Sequence, residues 1–146
     1  MIPPSRCVID ASVGIKLCVK ESLSDRVESL LSKEGADENT RRYVPDLFFV
    51  ECANVLWKYV VRFGYSAKDA RRIMTLLRRL DLMAISTEML LPEALNIAIG
   101  HSISVYDACY VAAAVAVEAP LITADERLVE CMRDTAYRVH SLRQLR

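Results

Sequence analysis

The sequence predicts an α/β fold in which helices cover both faces of a parallel sheet of about five strands. Short apolar runs rich in β-branched residues, which are typical of buried strands, recur along the 146 residues. Stretches with helical periodicity separate these runs, and strands that alternate with helices pair in parallel. The length and the 53% hydrophobic content suit one domain, residues 1–146, with a single large core.

Five segments are predicted as strands. The first, RCVID at residues 6–10, ends at an aspartate, and a brief second strand covers Tyr43 and Val44. The other three are MAIS at residues 83–86, APLITA at residues 119–124 and YRVHSL at residues 137–142. No repeat or low-complexity segment interrupts this order.

Helices are predicted between the strands from caps and apolar spacing. Two short helices cover residues 12–19 and about 23–33, and the polar segment EGADENTRR is predicted as an exposed loop. A long helix begins at Pro45 and Asp46 and is stopped by Gly64. Ser66 caps the next helix, whose apolar face is formed by Ala70, Ile73, Met74, Leu77 and Leu80. The last three are TEMLLPEALNIAIG with Gly100 just past its end, the apolar run that follows Ser104, and DERLVECMRDT.

Composition argues against several classes of protein. The 19 basic and 19 acidic residues cancel, so a nucleic acid would have to be met by a local patch. The N-terminus lacks the pattern of a secretory signal, and no apolar run reaches the length of a membrane span. We therefore expect a cytoplasmic protein without a membrane partner. The five cysteines lack CxxC spacing, which favours buried thiols and leaves a disulfide open, and the two histidines lack partners at zinc-ligand spacing.

Four acidic residues are predicted to meet at one edge of the sheet. Ligands of parallel α/β sheets bind outside the carboxyl ends of the strands. Asp10 ends the first strand, and Asp125 directly follows LITA. Glu51 and Asp107 each lie within about two turns of a helix start. Because helices that follow strands begin at that same edge, all four acids can converge there.

Helix capping offers a structural explanation for three of these acids. Ser104 and Asp107 match the capping-box pattern. Asp10 can cap the helix that follows the first strand, and Ser12 is an equally able cap. Asp125 can also start a helix, but a capping pair is already available there from Thr123 and Glu126.

Glu51 is the hardest acid to explain structurally. Its helix is apolar almost all round, and Glu51 forms a polar stripe with Asn54 and Lys58. A solvent-exposed helix face would explain polar residues at the far end of this helix better than at the end near the sheet edge. Four acids that share one edge without an adjacent Lys or Arg repel one another, and a cation relieves that repulsion. Ligation by oxygen alone favours Mg²⁺ or Mn²⁺. The sequence therefore predicts a divalent-metal site.

Four segments resemble, in order, the motifs of the PIN-domain ribonucleases, and especially of the VapC-type toxins of prokaryotic toxin–antitoxin pairs. The segments are VIDASV, VPDLFFVECANVLWK, SVYDACYVAAA and LITADERL, and the resemblance runs nearly end to end. It implies a three-layer α/β/α sandwich with an acidic pocket that binds Mg²⁺ or Mn²⁺ and cuts single-stranded RNA. The family's four acids, which act in catalysis and metal binding, are matched here by Asp10, Glu51, Asp107 and Asp125.

The resemblance also implies supporting residues and partners. Small polar residues around the pocket are matched by Ser12, Asn54, Ser104 and Thr123. RNA phosphates need cations outside the acidic pocket, and the candidates include Lys58, Arg62, Arg71 and Arg72. A solvent-exposed helix face explains Arg71 and Arg72 equally well. Besides RNA, basic residues near the pocket can bind an antitoxin.

Two further expectations concern packing. A homodimer is predicted because the chain has more apolar side chains than one small core is expected to bury. They are the apolar face of residues 70–80 and the aromatic residues Phe48, Phe49, Trp57 and Tyr59. Gly14 falls early in the first helix, where many relatives carry a bulkier residue, and we expect it to loosen that helix.

Two other functions stay open. A PIN-like binding module would hold an antitoxin or RNA with little or no cleavage, although the intact acids argue against it. An aspartate-based phosphatase also places an acid after its first strand. It needs a second acid two residues later, where this chain has Ser12, and its mechanism gives Glu51 no role.

Overall fold

The computed structural model describes residues 1–19, 24–32 and 37–146. These ranges contain, in chain order, β1 (Arg6–Ile9), α1 (Ala11–Cys18), α2 (Ser24–Leu31), β2 (Arg41–Pro45), α3 (Leu47–Phe63), α4 (Ala67–Arg79), β3 (Met83–Ile85), α5 (Thr87–His101), α6 (Val105–Ala116), β4 (Leu121–Thr123), α7 (Glu126–Met132) and β5 (Val139–Ser141). A 3₁₀ helix, Leu142–Gln144, ends the chain. Both ends of the helix predicted at residues 23–33, and the start of the predicted loop EGADENTRR, lie outside the described residues. The end of that loop prediction is wrong, because Arg41 and Arg42 belong to β2 and Arg42 is buried.

The five strands form one parallel sheet in the order β3-β2-β1-β4-β5. β1 is the central strand, and its Val8 pairs with Tyr43 on one side and Leu121 on the other. The chain moves outward from β1 to β3 on one side and then continues with β4 and β5 on the other side. The strand order therefore reverses between β1 and β4, and a ligand crevice forms at such a switch point.

Helices cover both faces of this sheet. α1 packs against α2, α3 and α4, whereas α6 packs against α5 and lies on β1, β2 and β4. Right-handed crossovers place α1–α4 on one face and α5–α7 on the other. The predicted α/β class and the three-layer α/β/α sandwich are confirmed.

The predicted caps hold at α3 and α4 but not at α5. Gly64 ends α3 in the left-handed region with φ of 66°, and the Ser66 side chain accepts from the backbone N–H of Asp69. The prediction that α5 ends before Gly100 is wrong. The helix continues through Gly100 to His101, and Ser102 takes the left-handed conformation with φ of 55° instead. Glycine is tolerated inside a helix at a modest cost, so its presence alone does not decide where the helix ends.

Of the nine residues from which we predicted a homodimer, four are buried in the monomer and four more are partly buried. Ala70, Ile73 and Leu77 of α4 are buried, and so is Phe48 of α3. The reasoning that one core is too small for them is wrong, because α4 packs on both α1 and α3. Trp57, at 55% exposure, does lie on the surface.

Gly14 lets α1 approach α3 closely. A Cβ at this position would lie 2.5 Å from Cζ of Phe48, well inside contact distance. Phe48 is fully buried, so its ring could move aside only by shifting the side chains packed around it. The structure therefore gives Gly14 a packing role, in place of the expected loosening of the helix.

The cysteines are free thiols, and all five lie in the described ranges. Cys7, Cys52 and Cys109 are buried, as predicted, whereas Cys18 is partly buried and Cys131 is exposed. Burial raises the pKa of Cys7 to about 11. Nowhere in the described ranges is one helix long and apolar enough to cross a membrane. By length and composition alone, α5 and α6 together would be long and apolar enough, but they are bent by 117° relative to each other.

Candidate functional site

The structure brings all four predicted acids to one pocket at the carboxyl edge of the sheet. The pocket has a volume of about 620 Å³ and lies beside the switch point between β1 and β4. It is lined by Asp10, Ser12, Glu51, Asn54, Lys58, Tyr106, Asp107, Tyr110, Asp125 and four apolar residues. The acids come from four different elements, which share this edge because α1, α3, α6 and α7 all begin there.

Asp10 is the buried acid of the site and the N-cap of α1. Its Oδ1 accepts from the Ser12 hydroxyl at 2.5 Å and from the Val13 backbone N–H at 3.2 Å, and its Oδ2 accepts from the Thr123 hydroxyl. Only 5% of the residue is exposed. Burial raises the pKa of Asp10 to about 6, and the nearby Asp107 adds to this, although the three hydrogen bonds oppose the rise.

Ser12 and Thr123 join the ends of β1 and β4 behind Asp10. The Ser12 hydroxyl accepts from the Ala124 backbone N–H, and the Thr123 hydroxyl accepts from the Asp125 backbone N–H, both at 3.0 Å. Ser12 is therefore a partner of Asp10, and the expectation that it caps α1 equally well is wrong. The two hydroxyls fix where Asp10 and Asp125 lie relative to each other.

Asp107 lies in the first turn of α6, whose N-cap is Ser104. The Ser104 hydroxyl accepts from the backbone N–H of Asp107 at 3.1 Å, so half of the predicted capping box is present. Burial raises the pKa of Asp107, and the charge of Asp125 raises it further, whereas Ser104 and Arg127 lower it. Asp107 lines the pocket with the other three acids.

Asp125 is the N-cap of α7. Its Oδ1 accepts from the backbone N–H groups of Arg127 and Leu128, at 2.9 and 3.4 Å. The predicted capping pair of Thr123 and Glu126 is wrong, because Thr123 points back to Asp10 and Glu126 accepts from the Ser141 hydroxyl. Asp125 thus caps a helix and lines the pocket at the same time.

Glu51 lies just over one turn into α3 and is half-buried. Its Oε1 accepts from the hydroxyl of Tyr110 on α6 at 2.6 Å. Burial raises the pKa of Glu51, the Tyr110 hydrogen bond lowers it, and Asp107 raises it again. Two hydrogen bonds to α5 fix the start of α3. The Thr87 backbone N–H donates to the Asp46 carboxylate, and the Thr87 hydroxyl accepts from the Leu47 backbone N–H, both at 3.0 Å.

The candidate RNA-binding residues do not all lie near the acids. Lys58 lines the pocket, and Arg62 lies one turn further along α3, exposed. Arg71 instead lines an apolar groove between α3 and α4, next to Trp57, on the face of α3 opposite Glu51 and Lys58. Arg72 follows it on α4 and lies 3.8 Å from an Asp69 oxygen. The structure therefore leaves the two α4 arginines away from the acidic pocket.

Three residues near the acids are not predicted from the sequence: Tyr106 and Tyr110, which line the pocket, and Arg127. Tyr110 lies in an apolar run, but it follows Asp107 by three residues and so shares its face of α6, a spacing that could have identified it. Arg127 lies in a smaller cleft of about 270 Å³ that Asp107 and Asp125 also line. Its spacing of two from Asp125 was the signal that could have identified it.

The donor set of the pocket is oxygen alone, and this suits a hard cation such as Mg²⁺ or Mn²⁺. No three His, Cys, Asp or Glu side chains in the described ranges lie close enough together to hold an ion among them. An ion with one or two carboxylate ligands and several waters, the usual arrangement for Mg²⁺, fits this geometry.

Comparisons with known proteins agree with the fold and the motifs. The family model of the PIN domain matches residues 7–132. Ribonuclease VapC3 of Pyrobaculum aerophilum is 33% identical over 127 residues, which cover 86% of this chain and 93% of that protein. The crystal structure of PAE2754 from Pyrobaculum aerophilum matches with a TM-score of 0.67 at 21% identity, covering 94% of this chain and 84% of the other. A chain of a toxin–antitoxin complex from Klebsiella pneumoniae matches with a TM-score of 0.65 at 13% identity, covering 93% and 97%.

Proposed function

This chain belongs to the PIN domain family, and on that premise we propose that it is a divalent-metal-dependent endoribonuclease that cuts single-stranded RNA. We further propose that it is the toxin of a toxin–antitoxin pair and that residues 1–146 act as one domain. The observation that carries the proposal is the meeting of Asp10, Glu51, Asp107 and Asp125 in one pocket. The 33% identity to a VapC ribonuclease over most of the chain supports the same activity. A cytoplasmic location stays a prediction of the sequence.

Asp10 and Asp107 are the proposed ligands of Mg²⁺ or Mn²⁺, and Asp125 is proposed to reach the ion through water. When bound, the ion supplies Lewis-acid chemistry, activating water and neutralising charge that develops on the phosphate. The three donors around Asp10 hold its carboxylate in one orientation. This chain therefore supplies a carboxylate that does not have to reorganise when the ion arrives.

Glu51 is the proposed group that orients the attacking water, as a hydrogen-bond acceptor or as a further ligand. It comes from the α3 side of the pocket, whereas Asp107 comes from α6. Lys58, on the same stripe of α3 as Glu51, is placed to meet a phosphate of the RNA. Ser104 and Thr123 support Asp107 and Asp125 through the hydrogen bonds described above, and Asn54 is a pocket residue able to contact substrate.

The activity is tested with labelled single-stranded RNA, duplex RNA and single-stranded DNA, in Mn²⁺ and in EDTA. We expect cleavage of single-stranded RNA that EDTA abolishes and that Asp107→Asn reduces at least 100-fold, since the variant keeps its shape but loses a charge. Asp134→Asn, at an exposed carboxylate after α7, is the matched control. Equal loss of RNA with wild type and Asp107→Asn would exclude this catalytic site. If neither cleaves RNA, and both bind it, the chain is the binding module that is the alternative to an enzyme.

An antitoxin is the proposed protein partner. Solved structures with this fold include a toxin–antitoxin complex from Klebsiella pneumoniae and VapBC2 from Rickettsia felis. Expression of this chain alone is expected to arrest growth of a bacterial host. Co-expression of a short reading frame from immediately upstream is expected to restore growth, and Asp107→Asn is expected to be harmless. Arrest by Asp107→Asn to the same degree would contradict the toxin assignment.

A homodimer is proposed on a different surface from the one used in the sequence prediction. Leu91, Leu95 and Ile99 follow one another at four-residue spacing on the outer face of α5, at 41%, 50% and 73% exposure. An apolar stripe of this kind is typical of a protein interface. Sedimentation equilibrium at micromolar concentration is expected to show a dimer that Ile99→Glu dissociates. A wild-type protein that sediments only as a monomer would contradict it.

A further inference from the structure

We propose that Tyr110 is a positioning residue that holds Glu51 in place at the acidic pocket, an inference that rests on the proposed function. The evidence is a hydrogen bond of 2.6 Å from the Tyr110 hydroxyl to Oε1 of Glu51. The two residues are 59 positions apart and belong to α6 and α3, so the bond crosses the pocket from one helix to the other.

Tyr110 is itself held rigidly. It is 2% exposed and lies in the stretch of α6, Ala108 to Ala114, in which every residue is buried. A buried aromatic ring cannot rotate away without opening the core, so its hydroxyl stays at one place. The hydroxyl of a buried tyrosine needs a hydrogen-bond partner, and here that partner is the Glu51 carboxylate.

Tyr110 also ties Glu51 to Asp107. The two residues of α6 are three positions apart and therefore share a face of the helix, and both line the pocket. α6 thus sets the position of Asp107 directly and that of Glu51 through the tyrosine hydroxyl. A single rigid element controls acids from both sides of the pocket.

The bond also leaves Glu51 available for chemistry. A carboxylate has about four acceptor positions, and Tyr110 occupies one of them, on Oε1. Within the part of the chain that the structure describes, no other side chain donates to Glu51, so its remaining positions can meet water, an ion or a substrate. Without the hydroxyl, a glutamate side chain at a half-open pocket samples several rotamers and must be ordered again in each binding event. Outer-shell partners of this kind typically change metal affinity or activity 10- to 100-fold when they are removed.

The test uses Tyr110→Phe, which removes the hydroxyl and keeps the ring. We expect the Kd for Mn²⁺, measured by titration calorimetry, to rise about tenfold, and single-turnover RNA cleavage to fall by at least as much. Tyr65→Phe, which removes a hydroxyl beyond the end of α3, is the matched control and is expected to behave as wild type. A Tyr110→Phe protein that matches wild type in both measurements would overturn the inference.

Combination with Glu51→Gln shows whether the tyrosine acts through the glutamate. We expect the double variant to be no worse than Glu51→Gln alone, because the two side chains act as one unit. Additive losses would overturn the inference by giving Tyr110 a role independent of Glu51. If Asp107→Asn equals wild type in Mn²⁺ binding and cleavage, the proposed function fails, and this outcome is separate from any result with Tyr110→Phe.

A structural readout decides the inference even for a protein without activity. In a crystal structure of metal-free Tyr110→Phe we expect the Glu51 side chain to leave the position that it holds in wild type or to occupy several rotamers. A Glu51 carboxylate that stays in place, with the same rotamer, would show that Tyr110 does not position it.

Discussion

Removal of the charge of Asp10 is expected to stabilise the metal-free protein at neutral pH. Burial raises the pKa of Asp10 from its ordinary value of 3.8 to about 6, even though three hydrogen bonds lower it. The ionised carboxylate is therefore the form that destabilises the fold. At 1.36 kcal/mol for each pKa unit, the difference corresponds to about 3 kcal/mol.

The sign of the pH dependence follows from the raised pKa. The folded protein binds a proton at Asp10 more tightly than the unfolded chain does, so stability falls with rising pH between the two values. The contribution is fully present below pH 3.8 and is lost as the pH rises through about 6. At pH 7.5 the metal-free protein lacks all of it.

Asp10→Asn avoids this loss because asparagine stays neutral. The amide N–H₂ of the asparagine would face a hydroxyl that donates to Asp10 in wild type, so that two hydrogen-bond donors oppose each other. The loss of this one hydrogen bond costs about 1 kcal/mol. The variant should therefore be more stable than wild type by about 2 kcal/mol at pH 7.5, or about 6 °C in Tm for a chain of this length. At pH 4, where Asp10 is protonated, the variant should be slightly less stable than wild type.

The assay is urea unfolding followed by circular dichroism, in EDTA, at pH 4 and pH 7.5. Asp134→Asn controls for the loss of any one exposed carboxylate. Excess Mn²⁺ is expected to reverse the order at pH 7.5, because wild type gains stability from the ion and Asp10→Asn gains less. An Asp10→Asn protein that is less stable than wild type in EDTA at pH 7.5 would refute the reasoning, as would an equal difference at both pH values.

Three further variants test the packing and the caps. Gly14→Ala is expected to lower the free energy of unfolding by about 1–3 kcal/mol, because its Cβ would lie 2.5 Å from Phe48 Cζ; stability equal to wild type in urea would contradict this. Asp125→Ala is expected to lower the free energy of unfolding of the metal-free protein by about 1 kcal/mol through loss of the α7 cap, whereas Asp125→Asn keeps most of it. Equal melting temperatures of the two variants would count against the cap. Leu77→Ala should cost about 2–5 kcal/mol and the 44%-exposed Leu76→Ala under about 1 kcal/mol; similar losses in urea would contradict the burial of this α4 face.

Local patterns were enough to predict the order of strands and helices and the edge at which the acids lie. The alternation of β-branched runs with helical periodicity depends only on near neighbours in sequence, and so do the caps at Gly64 and Ser66. Asp10 and Asp125 could be placed because they come one and two residues after the ends of β1 and β4, and parallel strands end at one edge.

The same local reasoning failed where several partners compete for one group. Thr123 matched a capping pattern with Glu126, yet its hydroxyl is used by Asp10 and by the Asp125 N–H. The apolar residues of α4 looked too numerous for one core, yet they fit between α1 and α3. Local spacing does not predict either outcome, since Asp10 is 113 positions from Thr123 and α4 also packs on α1, which comes from the start of the chain.

The sequence by itself determined the α/β class, the parallel sheet and the edge of the sheet at which the four acids lie, because periodicity and position relative to the start of a helix or the end of a strand are properties of short segments. Only the tertiary structure decided that Asp10 is buried with a raised pKa, that Tyr110 donates to Glu51, and that Arg71 lies on the far side of α3 from the acids. Burial, hydrogen-bond partners and the surroundings of a charge depend on elements brought together from distant parts of the chain, and these contacts arise only when the layers pack.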